Sequence, residues 1–266
     1  MVQLYLEKLG CSGADKVCEE HLFQLQMAHL EKIPYNNLEI LAGAVPSLDL
    51  DDMFRKIVIK GRGGYCFELN ALFAELLRTL GYPVREYFAR WHWGGTDEIP
   101  MRRHRVLHVQ CGSKYFLADV GIGSPGTVTP LEYVFDVTQK KNVRNLRLVH
   151  DPKLGIVVQA EHDGNWLPYF SFTEDPHFSL DFEYVNFYCS RAENSVFRNK
   201  FFMHRQTEKQ QFYIENPVAP EEKYHFCIRS GKNDIERRRI PNHKKLQQIL
   251  ADYFDFSVSL DELQVL

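Results

Sequence analysis

The sequence predicts an α+β protein, because the spacing of its apolar residues changes along the chain. Up to about Tyr82, apolar residues recur at the spacing of amphipathic helices, as they do between Leu22 and Leu30. From Val84 onward polar and apolar residues alternate and aromatic residues are frequent, which is typical of strands. At 266 residues the chain is longer than a typical single domain, so we expect two or three packed subdomains around one cleft.

The same pattern predicts three domains. A helical domain is expected over residues 1–83, and a β-rich domain is expected over residues 84–190. Residues 191–266 are expected to form an α/β lid over the cleft. The expected elements of this lid are strands near 210–214 and 224–228 and a final helix near 246–254.

One cysteine lies where a glycine-rich turn meets a predicted helix. Three of the four residues from Gly61 to Gly64 are glycines, and the helix that begins near Cys66 is expected to end before Gly81 and Pro83. The free backbone amides and the positive end of the helix dipole should lower the pKa of the thiol below its usual value of about 8.5. Cys66 is therefore a candidate nucleophile, with a buried structural cysteine as the alternative.

A histidine and an aspartate lie in a predicted β-hairpin with strands over residues 104–110 and 114–120. A two-residue turn at Gly112-Ser113 sets a register in which His104 and Asp119 are diagonal neighbours on one face of the sheet. Such a carboxylate can hold one ring nitrogen while the other faces the cysteine, as in a triad that activates a nucleophile. The alternatives are a surface or core histidine and an aspartate that caps the turn after it.

These motifs resemble the arylamine N-acetyltransferase family, of bacterial type, in order and spacing. A fourth motif near the N-terminus resembles the family's His, Ile-Pro-Phe-Glu-Asn-Leu signature, and the likeness extends over nearly the whole chain. The segments that resemble the family are His29–Leu38, Arg62–Glu68, His104–Leu107 and Ala118–Gly123, with Pro130-Leu131 beyond them. The resemblance implies a β-barrel-like middle domain, a cysteine-protease-like core with Cys66, His104 and Asp119 as the triad, and acetyl-CoA as co-substrate.

The resemblance also implies where the acceptor amine binds. Tyr35, Tyr65 and Ile122 correspond to family positions at the acceptor pocket. Ile122 stands where many relatives have phenylalanine, and Tyr35 with Asn36 stands where Phe-Glu is usual. We therefore expect the chemistry of the family with an amine preference that the family pattern does not fix.

A loop after the hairpin resembles the family segment that approaches the pyrophosphate of coenzyme A. By itself a glycine-rich loop is weak evidence for phosphate binding, and a tight turn after a strand is the alternative. The candidate coenzyme A contacts are Gly123, Ser124, Gly126 and Thr127 in this loop, with Arg102, Arg103 and Lys140 as basic candidates for the phosphates.

Composition narrows the possible partners. The chain has 32 Lys+Arg against 35 Asp+Glu, a net charge of −3, which argues against nucleic acid or an anionic membrane as a partner. The N-terminus lacks the apolar core of a signal peptide, so we expect a cytoplasmic protein. Basic runs at Lys140-Lys141 and Arg237–Arg239 are expected to be solvated. Neither a zinc site nor a disulfide framework is indicated by the scattered cysteines, which are Cys11, Cys18, Cys66, Cys111, Cys189 and Cys227.

The predicted reaction is ping-pong acyl transfer. The Cys66 thiolate, paired with protonated His104, would take the acetyl group from acetyl-CoA and pass it to an aromatic amine or hydrazine. Three alternatives stay open: a thiol hydrolase or transglutaminase-like enzyme, a macrolactam-forming amide synthase related to the family, and a small-molecule binding protein with a degenerate site. The identity of the acceptor separates the enzymes from one another. The sequence leaves the oligomeric state open.

Overall fold

The structure is a computed structural model, which describes residues 1–13, 17–94, 98–123, 128–141, 144–175, 177–219, 222–231 and 234–266. Within these ranges helices and strands alternate irregularly. The α-helices are α1 (Val2–Leu9), α2 (Glu19–Lys32), α3 (Leu38–Leu41), α4 (Leu50–Phe54), α5 (Cys66–Thr79), α6 (Asp181–Arg191), α7 (Val196–Asn199) and α8 (His243–Phe254), with a π-helical turn at Arg55–Ile59 and a 3-10 turn at Glu262–Val265. The strands are β1 (Tyr35–Asn36), β2 (Val84–Trp91), β3 (Arg102–Cys111), β4 (Lys114–Ala118), β5 (Leu131–Glu132), β6 (Leu146–Asp151), β7 (Gly155–His162), β8 (Asn165–Phe172), β9 (Met203–Gln206), β10 (Gln211–Glu215), β11 (His225–Arg229) and β12 (Ile235–Arg239).

Helix α5 is the central element of the N-terminal region. Nearly all of its residues are buried, because apolar side chains surround it on every side, which is the pattern of a core helix. Leu22 and Leu25 of α2 and Ile57 of the π-helical turn belong to the same apolar cluster. A left-handed Gly81 follows the end of α5, as the sequence predicts. The helix that begins at Cys66 is therefore held rigidly by its surroundings.

A seven-stranded antiparallel sheet, ordered β5-β4-β3-β2-β8-β7-β6, forms the middle of the described chain. The residues that follow β5 bridge to β6, at Phe135 with Leu148 and at Gln139 with Leu146, so the sheet curls and its two edges approach each other. Side chains of β3 alternate between two cores: Val106 faces the inside of the curled sheet, whereas Leu107 faces α5. This alternation places β3 directly beside the helix that bears the cysteine.

The predicted register of the β3-β4 hairpin is confirmed. Cys111 pairs with Lys114, and Leu107 pairs with Ala118. The second strand ends at Ala118, two residues earlier than predicted, so Asp119 lies just beyond it. Asp119 therefore takes no part in the pairing of β3 with β4, and its side chain turns toward the core through the contacts described below.

The C-terminal part contains a five-stranded sheet, ordered β1-β9-β10-β11-β12, with α8 packed against it. Its edge strand β1 comes from residues 35–36, which joins this sheet to the N-terminal helices. The strands and final helix predicted for this part are present within a few residues of their expected bounds. The predicted division into three domains stays a prediction.

The β-rich pattern ends earlier than the sequence predicts. The last strand of the large sheet stops at Phe172, and residues 181–191 form the helix α6. Phe182 and Val185 of α6 pack into the same apolar cluster as α5. No helix in the described ranges is long and apolar enough to span a bilayer.

Candidate active site

The turn before Cys66 is fixed by its backbone and by a buried carboxylate. Gly63 has a φ of 56°, and a Cβ atom at this position would lie 2.1 Å from the carbonyl oxygen of Pro34, so only glycine fits. Glu68 is buried and accepts hydrogen bonds from the backbone N–H of Tyr65 at 3.2 Å and from Nζ of Lys56 at 2.7 Å. These contacts fix the first turn of α5 and thus the position of Cys66.

The Cys66 thiol is buried in the first turn of α5, and its Sγ donates to the carbonyl oxygen of Arg103 at 3.9 Å. Burial raises the pKa of this thiol, and the nearby Cys189 and Asp119 raise it further. A hydrogen bond from the backbone N–H of Phe67 acts in the opposite direction. The expectation of a lowered pKa is thus wrong, because desolvation outweighs the hydrogen bond from the Phe67 amide at the start of the helix. The thiol needs a base to become a nucleophile.

His104 and Asp119 form a buried pair. Nε2 of His104 donates to Oδ2 of Asp119 at 2.6 Å. The imidazole is edge-on to the rings of Trp91 and Phe170, at centroid distances of 5.7 and 6.3 Å. A carboxylate that holds Nε2 leaves Nδ1 as the nitrogen that can accept a proton. The pair therefore has the arrangement of an oriented base.

Asp119 is itself held by three further hydrogen bonds, two to its carboxylate and one from its backbone N–H. Its Oδ1 accepts from the backbone N–H of Gly121 at 2.9 Å, a turn-capping contact of the kind that the sequence suggests as its alternative role. Nδ2 of Asn70 donates to the same oxygen at 2.9 Å. The backbone N–H of Asp119 donates to Oε1 of Gln26 at 3.0 Å. The carboxylate has little freedom to turn away from His104.

Asn70 is a residue of the site that the sequence analysis does not identify. It lies one helical turn after Cys66 and is fully buried. Its Nδ2 also donates to the carbonyl oxygen of Arg105 at 2.6 Å, and its Oδ1 accepts from the backbone N–H of Val120 at 2.9 Å. One side chain thus joins α5, β3 and the segment that follows β4. A polar residue four positions after the cysteine, on the same face of a helix whose buried residues are mostly apolar, is the signal in the sequence that points to it.

Two glycines let the segment after β4 approach the start of α5. A Cβ atom at Gly121 would lie 2.7 Å from Cα of Cys66 and 2.7 Å from Nδ2 of Asn70. At Gly123 it would lie 2.6 Å from Cε1 of Tyr35. All three distances are shorter than the contacts that real Cβ atoms make, so both positions require glycine.

Cys66 and His104 line one cleft, which has a volume of about 590 Å³. Tyr35, Ile122 and Gly123, three of the residues predicted for substrates, line it as well. The other lining residues are Trp91, His92, Trp93, Gly94, Glu98, Ile99, Pro100, Met101, Arg103, Gly121, Tyr188, Asn194, Val196, Phe197, Lys200 and Phe202.

The remaining predicted residues lie elsewhere. Tyr65 does not line the cleft, because its ring is buried in the core and its hydroxyl donates to Oδ1 of Asn186. Arg102 faces Asp175, with 3.6 Å between nitrogen and oxygen, and Lys140 is exposed away from the cleft lining. The predicted coenzyme A contacts Ser124, Gly126 and Thr127 lie outside the described residues.

Similarity to known proteins identifies the family. Residues 20–263 match the family model described as N-acetyltransferase. An arylamine N-acetyltransferase of Escherichia coli is 29% identical over 255 residues, which cover 96% of this chain and 88% of the relative. The solved arylamine N-acetyltransferase from Salmonella typhimurium has a TM-score of 0.90 at 26% identity, covering 99% of this chain and 96% of that one.

A third comparison bears on the co-substrate. The solved structure of Mycobacterium marinum arylamine N-acetyltransferase in complex with CoA has a TM-score of 0.89 at 24% identity, and the match covers 99% of this chain and 97% of that one. At 24% identity, this similarity shows that the two chains share a fold. Since the family model spans most of the sequence, the chain belongs to the arylamine N-acetyltransferase family of acyltransferases.

Proposed function

We propose that this protein moves the acetyl group of acetyl-CoA to aromatic amines or hydrazines through an acetyl-Cys66 intermediate. The supporting observation is the 2.6 Å hydrogen bond between His104 and Asp119 in the cleft that Cys66 also lines. A nucleophile, a base and a group that orients the base are the requirements of covalent acyl transfer. The family membership and the CoA complex of a relative support a CoA thioester as donor.

The first half-reaction forms the acetyl-enzyme. Nδ1 of His104 takes the proton of the Cys66 thiol as Sγ attacks the carbonyl carbon of the thioester. The carbon–sulfur bond to CoA then breaks, and the imidazolium returns its proton to the departing CoA sulfur. Asp119 stabilises the imidazolium between these two events. The backbone N–H of Phe67, at the start of α5, is the proposed donor to the carbonyl oxygen as it becomes negative.

The second half-reaction releases the product. The amine nitrogen attacks the acetyl carbon of the Cys66 thioester, and His104 removes a proton from that nitrogen. Sγ leaves and recovers its proton, which restores the free enzyme. Trp91 and Tyr35 supply flat apolar surface beside the sulfur, which suits an aromatic acceptor.

The cleft has the size and charge for these substrates. Its volume of about 590 Å³ lies within the usual range for small-molecule sites. Arg103 and Lys200 contribute positive charge to the lining, which suits the phosphates of coenzyme A. We therefore propose Arg103, rather than Arg102 or Lys140, as the basic residue of the β3 region that receives a phosphate.

Steady-state kinetics with acetyl-CoA and an arylamine test this function. We expect parallel double-reciprocal lines, because CoA leaves before the amine reacts, and we expect Cys66→Ala to abolish product formation. Cys111→Ala is the matched control, since Cys111 is also a buried free thiol but lies at the hairpin turn. Intersecting lines, or acetylation by Cys66→Ala at the wild-type rate, would refute the proposal. Continued release of CoA without amine would favour the hydrolase alternative.

A further inference from the structure

Helix α6 and the residues before it leave a large apolar surface uncovered. Phe178, Leu180, Tyr184 and Phe187 are 74%, 81%, 68% and 60% exposed. Single exposed apolar side chains are common on proteins, whereas four large ones within ten residues form a continuous patch. Such patches usually mark binding surfaces.

The patch is one face of a helix whose other face is already used. At 100° per residue, the side chains of Leu180, Tyr184 and Phe187 fall within an arc of about 60°. Phe182 and Cys189 point to the opposite side and are buried in the core. The helix is therefore apolar on two sides, and among the described residues only the side that bears Phe182 and Cys189 is packed against the rest of the chain.

Two charges flank the patch symmetrically. Glu183 lies four residues before Phe187, and Arg191 lies four residues after it, so both border the same face. Both side chains are exposed, and neither makes an ion pair with another residue in the described ranges. The face thus carries one acidic and one basic side chain, each four residues away from the exposed Phe187.

We propose that this face binds the same face of a second copy of the chain. When two α6 helices pack antiparallel about a two-fold axis at Phe187, each Glu183 faces Arg191 of the partner subunit. A two-fold interface is self-complementary, and this pair of opposite charges satisfies that condition. The four apolar side chains expose roughly 500 Å² per copy, so pairing buries about 1,000 Å², the lower bound for a specific interface.

The alternative occupants suit the patch less well. A membrane surface rich in anionic lipid would be repelled by the net charge of −3 and by Glu183 and Asp181 beside the patch. A second copy needs no further component. The interface would lie next to the cleft, because Tyr188, which follows Phe187, is one of the cleft residues.

Sedimentation velocity over a wide range of concentrations tests the interface. We expect the wild-type chain to form dimers and Phe187→Glu to be monomeric, since the substitution places two carboxylates at the two-fold axis. Glu183→Arg should also lose the dimer, because Arg191 of the partner subunit then faces a like charge. The double variant with Glu183→Arg and Arg191→Glu should regain it.

The controls separate a lost interface from a lost fold. Val218→Glu changes an apolar residue that is 89% exposed and does not belong to the α6 patch, and it should leave the dimer intact. Circular dichroism should match the wild type for every variant, and the Tm should match at concentrations low enough for the wild-type dimer to dissociate. A wild-type monomer at all concentrations, a dimeric Phe187→Glu, or a double variant no better than Glu183→Arg would overturn the proposal. So would a monomer that binds phosphatidylserine vesicles through Phe187.

Discussion

Complete burial makes the Cys66 thiol a weak acid, so in the proposed mechanism its reactivity depends on His104, which lines the same cleft. Desolvation raises the pKa of the thiol well above its ordinary value, and the carboxylate of Asp119 adds to this effect. The hydrogen bond from the Phe67 amide does not offset the desolvation. In this account His104 supplies the missing proton acceptor.

Removal of the imidazole should expose the raised pKa of the thiol. We expect His104→Gln to react slowly with iodoacetamide at neutral pH and faster as the pH rises through and beyond 9, because only the thiolate reacts. The wild-type thiol should already react near neutral pH. Mass spectrometry of the labelled cysteine measures both profiles. Equal rates for the two proteins at pH 7 would show that His104 does not activate the thiol.

Asn70 should act as a positioning residue. Asn70→Ala removes the donor to Asp119 and leaves the Val120 amide without its partner, so we expect a loss of about 1–3 kcal/mol in stability. If Asn70 had only a structural role, this loss of stability would be the whole effect. We expect in addition that kcat falls and that the alkylation profile of Cys66 moves toward that of His104→Gln. A destabilised variant with the wild-type alkylation profile would contradict the positioning role.

At the residue scale, the sequence predicts the positions of the candidate residues better than the contacts that hold them. Cys66, His104 and Asp119 follow from a helix start and a hairpin register, both of which depend on local spacing. Local spacing does not identify Asn70, because its three partners are distant in sequence. Tyr65 does not line the cleft, because its ring is buried in the core and its hydroxyl donates to Asn186.

At the scale of the elements, short-range rules predict the β3-β4 hairpin and fail for α6. The turn at Gly112-Ser113 alone fixes the hairpin register. Helix α6 is rich in aromatic residues, which favour strands by propensity. Its Phe182, Val185 and Cys189 nevertheless recur at helical spacing, and burial of that face against α5 decides the conformation.

The contact between the segment after β4 and the start of α5 can be tested with one methyl group. Gly121→Ala would place a Cβ atom 2.7 Å from Cα of Cys66, so either the helix or the segment must shift. We expect an overpacking cost of about 1–3 kcal/mol and a large loss of kcat. Gly13→Ala is the control, because a Cβ atom there lies within 4 Å of no described neighbour. Chemical denaturation and initial rates measure both, and an active, fully stable Gly121→Ala would contradict the described contact.

At the scale of the whole molecule, the cleft depends on contacts that no local pattern reveals. Trp91 and Arg103 lie on the paired strands β2 and β3, whereas Phe202 comes about 100 residues later and directly precedes β9, which pairs with β1. The fold class could be predicted from periodicity. The curl of the large sheet and the composition of the cleft lining could not, since both depend on pairings between residues far apart in sequence.

Buried histidines should make the whole fold sensitive to acid. Burial lowers the pKa of His29 to about 3 and that of His204 to about 4. In the unfolded chain these groups take up protons below pH 6.5, so the unfolded state binds more protons than the native state. Each histidine should therefore reduce the free energy of unfolding by about 1.4 kcal/mol per pH unit between pH 6.5 and its native pKa.

Substitution of His29 tests this linkage. Nδ1 of His29 accepts from the Tyr5 hydroxyl at 2.8 Å, so His29→Gln should lower stability at neutral pH but flatten the slope below pH 6.5. Urea titrations at several pH values measure the slope. His162→Gln, at an exposed histidine, is the control and should keep the wild-type slope. An unchanged slope in His29→Gln would contradict the burial of a neutral imidazole.

The central claim is that Cys66 accepts the acetyl group before any amine is present. Intact-protein and peptide mass spectrometry after incubation with acetyl-CoA alone measures this directly. We predict one acetyl group per chain, located on Cys66, which disappears when an arylamine is added and never forms in Cys66→Ala. An unmodified Cys66 in a preparation that acetylates arylamines would contradict the account.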